Sequence, residues 1–166
     1  EVIGVDEDVA KAAVEGFEGT WRRFEYIGQW QDADVYSDYA HHPTAVKGSI
    51  SAFKEKYPDR RLVVCFQPHQ YSRTAELFDD FVTSFEETDV LILSEVYEVA
   101  GRNEDKSKTS KDLVDAIKEH GKPDQVMYAG DIDEAESKLR DVVEKGDIIV
   151  FMGAGDIDTV ARKLAS

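Results

Sequence analysis

The stretch D-V-Y-S-D-Y-A-H-H-P-T, residues 34–44, begins as one kind of backbone and ends as another. Val35 and Tyr36 are β-prone, whereas Pro43 suits the first turn of a helix. Between them lie a carboxylate (Asp38), a phenol (Tyr39) and two adjacent imidazoles (His41 and His42). Open α/β sheets bind ligands outside the carboxyl ends of their strands, so a strand that feeds a helix through ionisable residues marks a candidate site.

Downstream the alternation continues. Val46, Ile50, Phe53 and Tyr57 recur at spacings of four, three and four, which predicts a helix over 43–57 that Pro58 and Asp59 stop. Arg61 to Phe66 is a continuous apolar run, as expected of a strand covered on both faces. A second polar cluster, F-Q-P-H-Q-Y-S-R-T over residues 66–74, leads into a helix predicted from Thr74 to Phe85. Asp89–Leu93, Gln125–Tyr128 and Asp147–Met152 read as further strands. The intervening helices carry Leu113, Val114 and Ile117 after a Ser110 cap, and Ile132, Ala135, Leu139 and Val142 after an Asp131/Glu134 capping box. Ile157–Leu164 closes the chain as a helix, and Gly101–Lys108 lacks periodicity and reads as a surface loop.

Upstream, Arg22–Ile27 alternates as a strand, Gly28–Asp32 turns, and Asp34–Tyr39 returns, which predicts a hairpin. Asp6 can cap a short helix with Val9, Ala12 and Ala13 inward, ended by Gly16. The expected fold is therefore α/β: a Rossmann-like open, mostly parallel sheet with helices on both faces and an antiparallel edge hairpin. Residues 1–19 are expected to be a short helix and linker, and 20–166 the domain proper.

With 166 residues, 42% hydrophobic content and 4 prolines, the chain can fold as one domain with a substantial core. The net charge of −15 repels phosphate backbones and argues against nucleic acid as a partner. No apolar run suits a membrane span and no signal-peptide pattern is present. The single cysteine, Cys65, lies in an apolar strand and fits a reducing compartment, so a cytoplasmic location is expected. Because the first residue is Glu1, the chain is expected to be a piece of a longer one.

Several side chains could carry chemistry. Asp38 can accept hydrogen bonds from a ribose diol or orient a cation, or it can serve as a turn residue or a cap for the following helix. Side chains of adjacent His41 and His42 diverge, which disfavours a shared metal, and no metal site is expected. Arg73 offers a planar donor fork for a carboxylate or phosphate, or pairs internally with Glu76 or Asp80. His69 can share such an anion or exchange protons near neutral pH. Gly153–Asp156 (G-A-G-D) lacks the full dinucleotide fingerprint and reads better as a tight turn, and no P-loop motif occurs. On these residues alone, a non-enzymatic module binding a small anion or nucleotide stays open as an alternative.

Taken together, R-R-F-E-Y-I-G, S-D-Y-A-H-H-P-T, F-Q-P-H-Q-Y-S-R-T, L-F-D-D-F, E-V-Y and G-A-G-D-I resemble, in order and over nearly the whole chain, the carboxy-terminal domain of the Mur ligases. H-H-P-T with F-Q-P-H-x-Y-S-R-T is most similar to the members that add L-alanine to UDP-N-acetylmuramate. The resemblance implies an ATP-dependent peptidoglycan-precursor ligase in which an acyl phosphate is attacked by the amino acid. Mg-ATP would be held mainly by a central P-loop domain and the UDP part by a first domain, so this chain would be inactive alone. It further implies that residues 1–19 end the central domain. Arg23 and Asp38 would contact ATP, at its phosphates and its ribose, while Tyr39, His41, His69 and Arg73 would surround the alanine, Arg73 clamping its carboxylate. The chain departs from the family at Ser37, where an Asp is common, and at Gln70, where Arg or Thr is expected; Gln70 brings no second positive charge to such a clamp.

Overall fold

The computed structural model describes residues 4–17, 19–98, 101 and 106–166. Six strands form one sheet: β1 (Glu25–Trp30), β2 (Ala33–Asp38), β3 (Leu62–Phe66), β4 (Val90–Leu93), β5 (Gln125–Tyr128) and β6 (Ile148–Met152), in the order β1-β2-β6-β3-β4-β5. β1 runs antiparallel to β2, and every other pairing is parallel. The open, mostly parallel sheet with an antiparallel edge hairpin is thus observed.

Alternation along the strands sorts the core into two layers. On one face Leu62, Val64 and Phe66 of β3 pack with Val46, Ile50 and Phe53 of α2 (Pro43–Lys56), Phe81 of α4 (Phe78–Thr83) and Leu113 and Ile117 of α5 (Ser110–His120). On the other, Val63 and Cys65 meet Ala135 and Leu139 of α6 (Ile132–Val142) and Val160 and Leu164 of α7 (Asp158–Leu164). Strands β3, β4 and β6 are buried at every residue because both faces are covered. Phe53, 1% exposed, stacks on Phe24 with ring centroids 3.7 Å apart, and burying such a ring contributes roughly 2–3 kcal/mol.

The crossover from β5 inserts β6 between β2 and β3. The chain leaves β3 toward one face and β6 toward the other, opening a crevice at their carboxyl ends. Gln67 follows β3 there and Gly153 follows β6; their N–H groups donate to the carbonyls of Met152 (2.9 Å) and Asp38 (3.1 Å).

Several boundaries differ from expectation. Arg22 and Phe24 adopt positive φ (52° and 49°), so the first strand starts at Glu25, and it runs through Gly28 to Trp30. The helix expected over 74–85 begins earlier and breaks: α3 (Tyr71–Glu76) and α4 are separated at Leu77, with φ −108° and ψ 24°. Thr109, not Ser110, caps α5, through a reciprocal box with Asp112. At α6 the Asp131 side chain accepts from Glu134 N–H, but the Glu134 carboxylate turns to Gly130 N–H, so the box is only half formed.

The first helix, α1 (Glu7–Glu15), is capped by Asp6 and ended by Gly16 as expected, but none of its residues is buried and Val9 is 61% exposed. The inward face assigned to Val9, Ala12 and Ala13 therefore has nothing to face among the described residues. Of the 101–108 loop, Gly101 and Lys106–Lys108 are exposed, and residues 102–105 lie outside the described ones.

Candidate functional site

β2, β3 and β6 bring the sequence-predicted residues to one edge of the sheet. Asp38 closes β2 and is 7% exposed. Its Oδ2 accepts from Phe24 N–H (3.0 Å) and Ser49 Oγ (3.2 Å), and its Oδ1 accepts from Ala40 N–H (2.8 Å). It does not cap α2, whose cap is His42 accepting from Thr44 N–H. Asp38 instead ties the lead-in to β1 to the start of the 39–42 turn. That leaves part of its acceptor capacity unused, since a carboxylate offers about four lone-pair sites.

Beyond Asp38 the two histidines part company. His42 is exposed at the helix cap, while half-buried His41 turns inward, edge-on to Tyr39 (5.0 Å between centroids) and 6.1 Å from the His69 ring. His41 Nδ1 lies 2.8 Å from the Tyr39 carbonyl oxygen. A carbonyl only accepts, so Nδ1 carries the proton and Nε2 is the basic nitrogen. Burial pushes the His41 pKa below its ordinary value; the bond to Tyr39 opposes this, and the charges of Arg73, Arg23 and His42 add to the lowering. Burial and the neighbouring cations thus both favour the neutral imidazole.

Arg22 and Arg23 flank the Tyr39 ring with guanidinium carbons 5.1 and 5.3 Å from its centroid. The doublet is split by burial. Arg22, 6% exposed, donates to the Gly153 carbonyl and lies 3.9 Å from Asp158. Arg23 is exposed beside a cavity of about 560 Å³ bounded by Trp21, Phe24, Tyr26 and Lys56. Among the described residues Arg73, on α3, donates only to the His69 carbonyl, at 3.5 Å. Neither Glu76 nor Asp80 pairs with it, so the internal ion pair considered for Arg73 is not formed among the described residues.

Three participants escaped the sequence reading. Gln67, directly after the buried β3 strand, donates to Asp156 (2.8 Å) and accepts from Ile157 N–H (3.2 Å). Glu95, after β4, accepts from Val96 N–H, Ser110 N–H and the Tyr128 hydroxyl, and this last bond pushes the Tyr128 pKa up to about 12. Tyr97 stacks on His69, centroids 5.5 Å apart at 12°. A polar residue one or two positions after a fully apolar strand was the available signal for Gln67 and Glu95.

The glycines of G-A-G-D serve close packing, in keeping with a turn. Gly153 has φ 146°, and a Cβ there would sit 2.7 Å from the Gln67 carbonyl. A Cβ on Gly155 would lie 2.2 Å from Gln67 Oε1 and 2.7 Å from the Tyr97 ring.

Among known proteins, the family model for the Mur ligase glutamate ligase domain matches residues 22–155. The UDP-N-acetylmuramate–L-alanine ligase of Caldanaerobacter subterraneus subsp. tengcongensis is 41% identical over 98% of this chain and 34% of its own length. The ligase of the same name from Sulfurihydrogenibium sp. is 40% identical over 95% of the chain and 35% of its own. The crystal structure of UDP-N-acetylmuramate–alanine ligase from Thermotoga maritima superposes with a TM-score of 0.80 at 26% identity, covering 98% of this chain and 33% of that one. The chain thus spans about a third of the length of the relatives it matches. It belongs to the Mur ligase family and corresponds to that family's carboxy-terminal domain.

Proposed function

We propose that this chain is the carboxy-terminal domain of an ATP-dependent, cytoplasmic ligase that joins L-alanine to UDP-N-acetylmuramate, with residues 20–166 forming the domain and 1–19 ending the preceding one. The observation that carries this reading is a pair of cations without internal anions. Arg22, Arg60, Arg61, Arg140 and Arg162 each have a carboxylate partner, whereas Arg23 and Arg73, both at the carboxyl edge of the sheet, have none among the described residues. In a chain of net charge −15, two such guanidinium groups at a ligand crevice are suited to anions from outside.

Arg73, beside His69 and acting on His41, with Tyr39 against His41, matches a small amino acid whose carboxylate needs a planar fork. Arg23 fits an ATP phosphate, being exposed beside a cavity of ligand size. Asp38 fits a single ribose hydroxyl better than a bidentate diol contact, because three of its acceptor sites are engaged. In this reading magnesium is held mainly by another domain. Mg-ATP would supply the phosphoryl group that activates the muramate carboxylate, while this chain's residues bind and orient the amine. The exposed apolar residues of α1 (Val9, Val14) and the flanking Val5 and Phe17 are suited to packing on the preceding domain.

The test is turnover. The full-length protein should form ADP and phosphate only with both UDP-N-acetylmuramate and L-alanine present, and the 166-residue chain should form none. Turnover by the chain alone, or submillimolar binding of ATP and alanine to it, would instead favour a self-sufficient binding module.

A further inference from the structure

We propose that Tyr97 is a positioning residue for the amino-acid pocket: it fixes the plane of the His69 imidazole, and Gly155 is the residue whose missing side chain makes room for it. This rests on the reading of His69 as part of the alanine pocket. The geometry has three independent supports.

The first is the ring contact. The His69 and Tyr97 rings are close to parallel, and the His69 ring lies 6.1 Å from His41, so His69 is flanked by both rings. The second is the backbone. Tyr97 N–H donates to the Pro68 carbonyl (2.8 Å) and Gln70 N–H donates to the Tyr97 carbonyl (3.2 Å), a parallel bridge that aligns the segment after β4 with the segment after β3. Glu95 pins the same segment two residues earlier, so Tyr97 hangs from fixed backbone rather than a loose loop. Gln70, next to His69, is held at φ 72°, a conformation a non-glycine residue keeps only where its surroundings enforce it.

The third is steric. The Tyr97 ring stands where a Gly155 side chain would be, with Gln67 Oε1 against the same space. The turns after β3, β4 and β6 therefore meet at one aromatic ring. A Cβ at Gly155 must displace either the Tyr97 ring or the Gln67 amide, and either movement is transmitted to the His69 side of the pocket. The tyrosine hydroxyl takes no part in the stack, so phenylalanine should replace it and an aliphatic residue should not.

Two readouts test this, with folding checked by thermal unfolding. In the full-length ligase, Tyr97→Leu should raise the alanine KM roughly tenfold, since small misplacements of a positioned group are costly. The KM values for ATP and UDP-N-acetylmuramate should stay within about twofold, and Tyr97→Phe should behave as the parent. Gly155→Ala should reproduce the alanine-specific defect, and it serves if Tyr97→Leu does not fold. In the 166-residue chain, the His69 ring-proton resonances should move in Tyr97→Leu and stay put in Tyr97→Phe. If His69→Ala raises the alanine KM while folded Tyr97→Leu changes neither that KM nor the His69 resonances, the inference is overturned and the functional reading survives. If His69→Ala leaves the alanine KM unchanged, the pocket reading fails, and the resonances alone then decide whether Tyr97 orients the ring.

Discussion

The two ends of the sheet handle charge in opposite ways. At the amino end, Arg60 donates to Asp34 (2.5 Å) and to the carbonyls of Gly146 and Asp147, and Arg61 bridges Asp147 (3.2 Å), Glu144 and the Val142 carbonyl. Asp89 receives both Lys54 and the Leu62 N–H. Cations there are consumed in joining strands to turns. At the carboxyl end Arg22 is used in this way and Arg162 ties Glu25 of β1 to Asp158 of α7, but among the described residues Arg23 and Arg73 have no carboxylate partner and stand near His41 and the Tyr97–His69 stack. Charge at the amino end is spent on the fold, whereas at the carboxyl end two guanidinium groups stay without a carboxylate partner among the described residues. Stability and binding should therefore separate by mutation.

Arg23→Ala sharpens that separation most. In the full-length ligase it should lower kcat/KM for ATP by roughly a hundredfold, the scale for losing a preorganised contact to a reacting phosphate. Alanine KM and unfolding temperature should change little. A fall in stability with unchanged ATP kinetics would place Arg23 with the amino-end arginines. Arg60→Ala should do the reverse, costing about 1–2 kcal/mol of stability through a part-exposed ion pair and two carbonyl contacts, with all KM values preserved. That loss should depend on pH. Burial would raise the Asp34 carboxyl, but hydrogen bonds from Gln29 and Arg60 and the Arg60 charge outweigh it and hold the pKa below the ordinary carboxylate value. The folded state thus favours the ionised form, so the contribution is full above the unfolded pKa and fades as pH falls through the folded one. Urea melts of the parent and Arg60→Ala should converge in acid; a constant gap would contradict the pairing.

His41 carries the smallest predicted effect. Its folded pKa is lowered, so between the ordinary value near 6.5 and the folded value the unfolded chain binds more protons, and stability declines as pH falls through that window. By imidazole NMR the His41 midpoint should lie below 6.5, and Arg73→Gln should raise it while leaving part of the shift, since burial is the leading cause. A midpoint at or above the ordinary value would mean the pocket is wetter than described.

Much of this was legible in the sequence, for reasons that differ by element. The apolar runs of β3, β4 and β6 announce a sheet covered on both faces, and Pro43 with the Val46–Ile50–Phe53 stripe announces α2, because burial writes directly into residue type. The start of β1 was not legible: Arg22 and Phe24 take positive φ and bond to the Gly153 carbonyl and the Asp38 carboxylate, residues distant in sequence. The break at Leu77 escaped for a related reason: an apolar stripe of the right period continues across it. At the carboxyl edge, residue types singled out Tyr39, His41, His69 and Arg73 as candidates, but not the burial of Arg22 beside an exposed Arg23 or the stacking of Tyr97 on His69. Those depend on which strand ends become neighbours, and the return of β6 between β2 and β3 decides that.

The central claim is that the carboxyl end of this sheet is one half of an amino-acid and nucleotide site. The alanine KM of full-length Arg73→Ala tests it most directly. It should rise roughly 10- to 100-fold, the range for a lost charge-assisted contact, with UDP-N-acetylmuramate KM and unfolding temperature unchanged. An unchanged alanine KM in a folded, active enzyme would remove Arg73 from the clamp and contradict the account.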